Sequence, residues 1–399
     1  MNAKRLPLEG VRVIEFSHMI MGPSCGLILA DLGADVIKVE PVGGGDKTRS
    51  LTGMGAGFFP MFNRNKRSLA IDLRSVEGIR LVKELLAEAD VVTENFRLGA
   101  LEAMGLGYDE LSKINPRLVY CSLKGFLSGP YDRRTALDEI VQMMGGLAYM
   151  TGPPGQPLRA GASVNDIMGG MFAVIGILAA LYERQHTGHG QLVRSALFEN
   201  NVFLMGQHMA QYEVTGLPAP PMPARLSAWA VYDLFETADN QQIFVGVVTD
   251  TQWQSFCSTF SMPDLAQDPS LRTNKQRVHA RDRIMPKLRH FFRNVTRAEA
   301  LDLCEKASVP FAQITRPEEL YDDVHLNQSP GALINVSLRN HQNVRVPALP
   351  LEMDGERLGN RLNAPGLGEH TAEIISGIGG SSEMIARLVA SGVLGIEGT

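Results

Sequence analysis

The fold is decided by VRVIEFSHMIMGPSCGLILADLGADVIKVE, residues 11–40. The β-branched run 11–16 is typical of a strand. A helix is predicted over 22–32, because its Gly-Pro opening suits a first helical turn and Gly33 follows its last residue. A second β-branched run, 35–40, predicts another strand. The stretch therefore reads as strand, helix, strand.

The same alternation continues through the first third of the chain. Strands are predicted at 68–73, 91–93 and 118–122, and apolar residues at helical spacing predict a helix over 76–88. Strands and helices that alternate in this way favour a parallel sheet covered by helices on both faces. The predicted fold class is α/β.

A change of pattern in the second half predicts a second domain. The Pro-rich segment 217–223 looks like a linker or a loop at a domain border, and alternating apolar and polar residues within 229–248 predict a β-hairpin. Helical patterns follow. We therefore predict a larger α/β domain over residues 1–205, completed by 326–399, and a smaller α+β domain over 215–325.

Composition excludes several classes of protein. The 399 residues are 44% hydrophobic and carry a formal net charge of -5, typical of a soluble enzyme and not of a nucleic-acid-binding protein. The four cysteines lie far apart and are expected to be reduced packing residues. The N-terminus lacks the apolar stretch of a signal peptide. The apolar run 167–182 is shorter than the ~20 residues that span a bilayer. We predict a cytoplasmic protein without membrane contact.

Common cofactor motifs are missing from the sequence. No GxGxxG follows the first strand, and the glycines of 43–46 lack the Lys-Ser/Thr end of a phosphate-binding loop, so a nicotinamide or nucleoside triphosphate is not expected. His186 and His189 lie three residues apart without a nearby carboxylate or cysteine. A metal site is therefore not expected either.

Asp166 stands immediately before the apolar run 167–182. A carboxylate at a helix N-terminus accepts backbone N–H bonds and is favoured in its ionised form by the helix dipole. One interpretation is a helix N-cap, worth ~1 kcal/mol. The other is an ionised carboxylate in a glycine-lined pocket that acts as a nucleophile or a base. The residue types alone leave both open.

Two polar loops are expected beside the predicted sheet. NRNKRS (63–68) precedes one strand, and Asn95-Phe96-Arg97 follows another at its carboxyl end, where doubly wound folds bind ligands. Each is either a solvated loop or part of a surface for phosphate or an adenine-bearing ligand. Together they make one crevice plausible.

These motifs, in this order and spacing, resemble the class III CoA-transferases, the group of formyl-CoA transferase and carnitine CoA-transferase. The resemblance holds from residue 8 to about 200 and weakens beyond. The stretches that carry it are Gly22-Pro23, LGADVIKVE (32–40), NRNKRS (63–68), ENFR (94–97), NPRL (115–118) and TGHGQ (187–191).

The resemblance implies a Rossmann-like, CoA-binding large domain with a smaller inserted domain, and a homodimer of two interlocked chains. It implies that Asp166 is the nucleophile and that acyl-CoA and small carboxylic acids are the substrates. Backbone amides of the turn 18–21 would stabilise the oxyanion. The residues that it places around CoA are Met19, Ile20, Phe62, Asn63, Arg64, Asn65, Asn95, Phe96, Arg97 and Asp138.

The sequence departs from the family at several positions. A family glutamine is replaced by Ile20, and two basic CoA contacts are replaced by Pro41 and Ala103. The CoA phosphates are therefore expected on the residues Arg64, Lys66 or Arg97.

Arg225 lies in the variable substrate loop. It is either a surface residue or a partner for the second carboxylate of a diacid substrate.

Two alternatives remain. A related enzyme, α-methylacyl-CoA racemase, pairs the aspartate with a histidine, but Leu137 stands at that position and Thr249 near that of a racemase glutamate. A single carboxylate cannot carry out a two-base proton exchange, so a transferase is favoured. The other alternative is a CoA-binding protein without catalysis, against which the intact Asp166 argues.

Overall fold

The computed structural model describes residues 5–225, 227–338 and 342–397. Within them the chain forms two compact units. The larger runs to Pro223 and resumes at Ser329, and the smaller is Ala224–Gln328. The CoA-binding role of the larger unit stays a prediction.

The described residues contain strands in both units. In chain order they are β1 (Arg12–Phe16), β2 (Asp35–Glu40), β3 (Lys66–Ile71), β4 (Val91–Glu94), β5 (Val119–Lys124), β6 (Leu192–Ala196), β7 (Val231–Glu236), β8 (Gln242–Val247), β9 (Phe311–Gln313), β10 (Leu333–Ser337), β11 (Asn343–Pro347), β12 (Glu352–Met353), β13 (Glu356–Arg357) and β14 (Leu394–Gly395).

The helices range from one turn to more than six turns. They are α1 (Met21–Asp31), α2 (Phe58–Phe62), α3 (Val76–Ala87), α4 (Ala100–Ala103), α5 (Tyr108–Ile114), α6 (Asp138–Met144), α7 (Leu147–Thr151), α8 (Val164–Thr187), α9 (Leu197–Thr215), α10 (Asp250–Thr259), α11 (Pro263–Ala266), α12 (Asn274–His279), α13 (Arg281–Phe292), α14 (Arg297–Ala307), α15 (Val324–Gln328), α16 (Thr371–Gly377) and α17 (Ser382–Ala390).

The larger unit is built on one sheet in the order β14-β3-β2-β1-β4-β5-β6. Neighbours from β3 to β6 are parallel, and β14 pairs antiparallel with β3 at the edge. The predicted parallel sheet is therefore confirmed. The order 3-2-1-4-5-6 is that of dinucleotide-binding folds, in which ligands bind where the order reverses. Here that point lies between β1 and β4.

Helices cover both faces of this sheet. Successive residues of a strand point to opposite sides, so each buried strand packs apolar side chains against the helices of both faces. Ile14 and Phe16 pack with α3, α5, α16 and α17 on one face. Val13 packs with α1, α6, α8 and α9 on the other. Both faces are apolar, as expected for a parallel sheet without a solvent-exposed side.

Helix α8 is longer than the 16-residue apolar run and only partly buried. Ala173, Ile177 and Ala180 enter the core, whereas Ile175 and Tyr182 on the opposite face are 59% and 66% exposed. By length and composition alone this helix could cross a membrane. A core helix of a soluble protein can have the same length and composition. The expectation of a buried helix therefore holds for one face.

The smaller unit combines a three-stranded antiparallel sheet, in the order β7-β8-β9, with helices α10 to α14. The predicted hairpin is β7-β8, and its turn contains Asn240 in a left-handed conformation with φ 56°. Trp253, Phe256 and Phe292 lie in its core. Cysteines in both units are buried and unpaired, as predicted; they are Cys25, Cys121, Cys257 and Cys304.

Candidate active site

The loops after β1 and β4 are joined at the point where the strand order reverses. The His18 N–H donates to Asn95 Oδ1 (3.0 Å), and Asn95 Nδ2 donates to the His18 carbonyl oxygen (2.8 Å). Met19 is left-handed (φ 66°), and the turn leads through the buried Ile20 into α1. The His18 ring lies 5.8 Å from the Phe96 ring. Asn95 therefore positions the turn that the resemblance places beside the nucleophile.

A buried charge network lies beneath this turn. Glu15 Oε1 accepts from Ser17 Oγ (2.9 Å) and Lys38 Nζ (3.2 Å), and Glu15 Oε2 lies 2.8 Å from Lys66 Nζ. Lys38 Nζ also lies 2.9 Å from Asp46 Oδ2. Burial lowers the pKa of Lys66 to about 8 although Glu15 opposes it. Each charge has an opposite partner, as buried charges require, so the network fixes the end of β1.

The loop NRNKRS turns its polar side chains inward. Arg64 Nη2 lies 2.6 Å from Asp31 Oδ2, and the side chains of Arg64, Asp31 and Lys66 are all fully buried. The prediction that Arg64 or Lys66 holds a CoA phosphate by its charge conflicts with this burial. The solvated-loop interpretation is wrong for the same side chains, because they are fully buried and paired with carboxylates.

The neighbouring residues of this loop also have structural partners. Asn63 Nδ2 donates to the Phe59 carbonyl oxygen (3.1 Å). Asn65 is left-handed (φ 60°), and its Oδ1 accepts the backbone N–H groups of Arg361 (2.6 Å) and Leu362 (2.8 Å). Asn65 thus anchors the returning C-terminal segment. Phe62 is buried. Binding of CoA by residues 62–65 stays a prediction.

Arg97 differs from Arg64 and Lys66 because its side chain is exposed. Its loop is held by Lys124, whose Nζ lies 2.7 Å from Glu94 Oε2 and donates to the Phe96 carbonyl oxygen (2.5 Å). Ser122 Oγ donates to Glu94 Oε1 (2.5 Å), and burial raises the pKa of Glu94. Of the three cations proposed for CoA phosphates, Arg97 is the one that solvent reaches.

Asp166 is the third residue of α8, and Ser163 is the N-cap. The N-cap interpretation of Asp166 is therefore wrong. The cap is supplied by Asp138 instead. Asp138 Oδ2 accepts the backbone N–H groups of Asn165 (2.7 Å) and Asp166 (3.1 Å), and the Asp138 side chain is buried. A carboxylate from the start of α6 thus occupies the N-terminus of the helix that carries Asp166.

The pKa of Asp166 is raised to about 7, first by withdrawal from water and second by the Asp138 charge, while Arg159 acts in the opposite direction. The expectation that the helix dipole keeps Asp166 ionised is therefore corrected. The first N–H groups of α8 are already bonded to Asp138, so their positive end stabilises that carboxylate instead.

Two glycines bring the Asp166 helix against α1. A Cβ on Gly169 would lie 2.4 Å from Met21 Cε, and one on Gly170 would lie 2.9 Å from both the Met21 carbonyl oxygen and the Cys25 amide nitrogen. Met21 is the first residue of α1 and directly follows the turn held by Asn95. The start of α8 and the turn 18–21 are therefore packed together.

A loop before α8 completes the surroundings of Asp166. Gln142 Nε2 donates to Asp138 Oδ1, and Gln142 Oε1 accepts from the Ala160 amide (2.7 Å). Arg159 Nη2 lies 3.9 Å from Asp138 Oδ1 and its Nη1 lies 3.7 Å from Glu139 Oε2. Neither Gln142 nor Arg159 was predicted from the sequence, because neither belongs to a local motif and only the fold places them beside Asp138.

Not every predicted site residue can be placed at this site. Arg225 belongs to the smaller unit, so its predicted contact with substrate stays a prediction. The racemase histidine position, Leu137, is 62% exposed at the start of α6. In the part of the chain that is described, no three His, Cys, Asp or Glu side chains are grouped to hold a metal ion.

Comparison with known proteins shows which proteins this chain is similar to. The succinyl-CoA:glutarate CoA-transferase of Mus musculus is 32% identical over 97% of this chain and 90% of its own. The succinate–glutarate CoA-transferase of Agrobacterium fabrum is 34% identical over 94% of this chain and 96% of its own. A CaiB/BaiF family protein from Brucella suis, known from its crystal structure, is 33% identical over 94% of this chain and 100% of its own, with a TM-score of 0.84.

The model of CoA-transferase family III matches residues 8–371, which include the smaller unit, most of the larger unit and the Asp166 site. This agrees with the resemblance seen in the motifs of the first half. The chain belongs to CoA-transferase family III.

Proposed function

We propose that this family III CoA-transferase moves CoA from an acyl-CoA to a free carboxylic acid through a covalent intermediate on Asp166. The observation that carries the proposal is the placement of Asp166. Its carboxyl group lies at the start of α8, which Gly169 and Gly170 pack against the beginning of α1. This packing supports a site in which Asp166, as the nucleophile, works beside a turn that supplies backbone N–H donors.

The reaction begins with two steps that load the enzyme. A carboxylate oxygen of Asp166 attacks the thioester carbonyl carbon, the C–S bond breaks, and a mixed anhydride and CoA thiolate form. The thiolate then attacks the aspartyl carbonyl carbon of the anhydride and releases the donor acid as its carboxylate. The product is an aspartyl-CoA thioester. Covalent catalysis in this way divides one difficult exchange into easier steps.

Two further steps unload the enzyme. The carboxylate of the acceptor acid attacks the aspartyl thioester, CoA thiolate leaves, and a second anhydride forms. The thiolate attacks the acceptor acyl carbon, which gives the new acyl-CoA and restores the Asp166 carboxylate. No net proton is transferred over the cycle, so the reaction requires a nucleophile but no paired acid and base.

Each attack produces an oxyanion that needs preset hydrogen-bond donors. The resemblance assigns these donors to the turn 18–21. The N–H of His18 is already bonded to Asn95 Oδ1 (3.0 Å), so it is not one of them. We assign the role to the amides of residues 19–21, which lead into the N-terminal turn of α1 and benefit from its positive end.

The raised pKa of Asp166 agrees with the proposal. Its raised pKa, about 7, marks a carboxylate that burial and the Asp138 charge destabilise. Conversion of Asp166 into an uncharged anhydride or thioester relieves both effects. The site therefore favours the acylated enzyme relative to a carboxylate in water.

The acceptor is proposed to be a small dicarboxylic acid. The mouse and Agrobacterium relatives are named for succinate or succinyl-CoA and glutarate. By that similarity we propose succinyl-CoA as donor and a C4 to C5 diacid as acceptor. Arg225 keeps its predicted role as partner of the second carboxylate.

The racemase alternative gains no support from the site. Leu137, where a racemase histidine would stand, carries no proton-transfer group. A racemase would exchange the α-proton of a 2-methylacyl-CoA with D₂O, and we expect no such exchange catalysed by this protein.

The test of the proposed function is to trap the intermediate. The protein is incubated with succinyl-CoA, hydroxylamine is added, and the peptide that contains Asp166 is examined by mass spectrometry. An aspartyl hydroxamate at position 166 is expected. Absence of the adduct, with CoA binding intact, would favour the non-catalytic CoA-binding alternative.

We also propose that the protein is an interlocked homodimer in the cytoplasm, as the resemblance implies. The outer faces of α8 and α9 expose large apolar side chains, among them Met171, Ile175, Tyr182, Phe203 and Tyr212. Large exposed apolar side chains grouped on helix faces are typical of a surface that contacts a protein or a membrane. Light scattering on the purified protein is expected to give the mass of two chains, and a monomer would contradict the proposal.

A further inference from the structure

Arg159 lies in the loop between α7 and α8, seven residues before Asp166, and its side chain is 31% exposed. Its Nε donates to the Ala160 carbonyl oxygen (3.1 Å). Its two terminal nitrogens lie 3.9 Å from Asp138 Oδ1 and 3.7 Å from Glu139 Oε2, too far for hydrogen bonds. The guanidinium group is thus held near the nucleophile while its outer N–H groups have only loose contacts with carboxylates.

The charges around Asp166 create a problem for the second half of the reaction. Asp138 is fixed at the start of α8 by the amides of Asn165 and Asp166. An acceptor carboxylate must come to the aspartyl thioester against this negative charge. Like charges a few ångströms apart in a partly buried site repel strongly. A cation is therefore needed on the side from which the acid approaches.

Arg159 is suited to this role. Within the described residues, Asp138 and Arg159 are the charged groups found to act on the Asp166 carboxyl group, and Arg159 is the cation. Two other cations that the sequence suggested as ligands, Arg64 and Lys66, are committed elsewhere because they are buried against Asp31 and Glu15. A guanidinium offers parallel N–H donors that match a carboxylate in a bidentate pair.

We propose that Arg159 binds the reacting carboxylate of the incoming acid and guides it to the aspartyl thioester on Asp166. The inference rests on the proposed function, since it assigns the acceptor subsite of that reaction. By reversibility, the same guanidinium receives the carboxylate of the donor acid when it leaves. The donor thioester itself is uncharged at its reacting carbon, so its attack by Asp166 depends less on Arg159.

The experiment separates the two halves of the reaction in the variants Arg159→Gln and Arg159→Lys. Loading is measured as the Asp166 hydroxamate formed from succinyl-CoA alone. Unloading is measured as the KM for the acceptor acid in the complete reaction. The matched control is Arg80→Gln, which removes an exposed arginine paired with Glu84 on α3.

The expected result is an acceptor KM raised about tenfold to a hundredfold in Arg159→Gln, the range for loss of a charged hydrogen bond, with loading largely retained. Arg159→Lys should recover part of the loss, because lysine keeps the charge without the bidentate geometry. Inhibition by the released donor acid should weaken in parallel. The Arg80→Gln protein should behave as the unaltered protein.

Two results would overturn the inference. An unchanged acceptor KM in both variants would show that the acid binds elsewhere. Loss of the Asp166 hydroxamate in both variants would show that Arg159 acts on the nucleophile and not on the acceptor. Failure of the proposed function is distinguishable from either, because the unaltered protein would then give no hydroxamate at all.

Discussion

The segment 63–66 and the start of α8 are both polar stretches beside apolar structure, yet the fold uses them in opposite ways. In 63–66 each charge meets an opposite charge in full burial, as between Arg64 and Asp31 (2.6 Å). At α8 two like charges, Asp138 and Asp166, share one helix end with a partly exposed arginine nearby. The first arrangement is satisfied and structural. The second leaves two carboxylates close together, an arrangement that is typical of functional sites and on which the proposed role of Asp166 rests.

The comparison is tested most strongly by Asp166→Asn. If the start of α8 is the chemical site, transferase activity should fall by about 10³-fold or more, because loss of a nucleophile removes the covalent route. Initial rates of acyl-CoA formation measure the change. The control is Asp109→Asn, an exposed aspartate in the first turn of α5. Activity within tenfold of the unaltered protein would contradict the assignment.

The structural role of 63–66 is tested by Arg64→Met. Removal of one partner leaves the buried Asp31 charge without its cation, which typically costs about 3–5 kcal/mol. Urea unfolding should show that loss of stability. The matched control, Arg67→Met, breaks a partly exposed pair with Asp35 and should cost about 1 kcal/mol or less. Equal losses would show that burial does not distinguish the two pairs.

The contact between α8 and α1 is tested by Gly170→Ala. The added methyl group would meet the backbone of Met21 and Cys25 at 2.9 Å, so α8 must shift away from α1. We expect kcat to fall about tenfold to a hundredfold, since small displacements of a nucleophile are costly. Gly377→Ala in α16 has open space around the new methyl group and should leave kcat unchanged. An unaltered kcat in Gly170→Ala would show that the close contact between α8 and α1 is not needed for catalysis.

The smallest effect is expected from Asp138→Asn. The amide oxygen can still accept the N–H groups of α8, but the charge that raises the pKa of Asp166 is gone. Because Asp166 must be ionised to attack, activity is lost as pH falls through its pKa. The acid limb of the kcat/KM profile should therefore move to lower pH than in the unaltered protein. If the acid limb of the profile does not move, burial alone and not the Asp138 charge raises the pKa of Asp166.

The sequence predicted the fold better than the site because its signals are local. β-Branched runs and helical spacing report on neighbouring residues, and they located the strands from β1 to β5. The burial of Arg64 depends on Asp31, 33 residues away. The cap on α8 comes from Asp138, 28 residues before Asp166. Neither pairing leaves a pattern in one sequence, so charge type alone suggested a solvated or phosphate-binding loop.

Family resemblance supplied what the local patterns could not. It predicted Asp166 as the nucleophile. The structure adds that burial and the nearby Asp138 charge raise the pKa of that carboxyl group. It did not point to Arg159 or Gln142, because their importance arises from the geometry around Asp138. The sequence suggested that the dipole of α8 keeps Asp166 ionised. In the fold, N–H groups in the first turn of that helix are bonded to Asp138 instead.

The central claim is that Asp166 is a nucleophile whose ionisation is controlled by its surroundings. The most direct test is the initial rate of hydroxamate formation at Asp166 from succinyl-CoA between pH 5.5 and 8.5, followed by mass spectrometry with the hydroxylamine step held at one fixed pH. The rate should rise with pH and level off above about 7, the pKa raised by burial and by Asp138. A rate independent of pH over this range, or an adduct on another residue, would contradict the account.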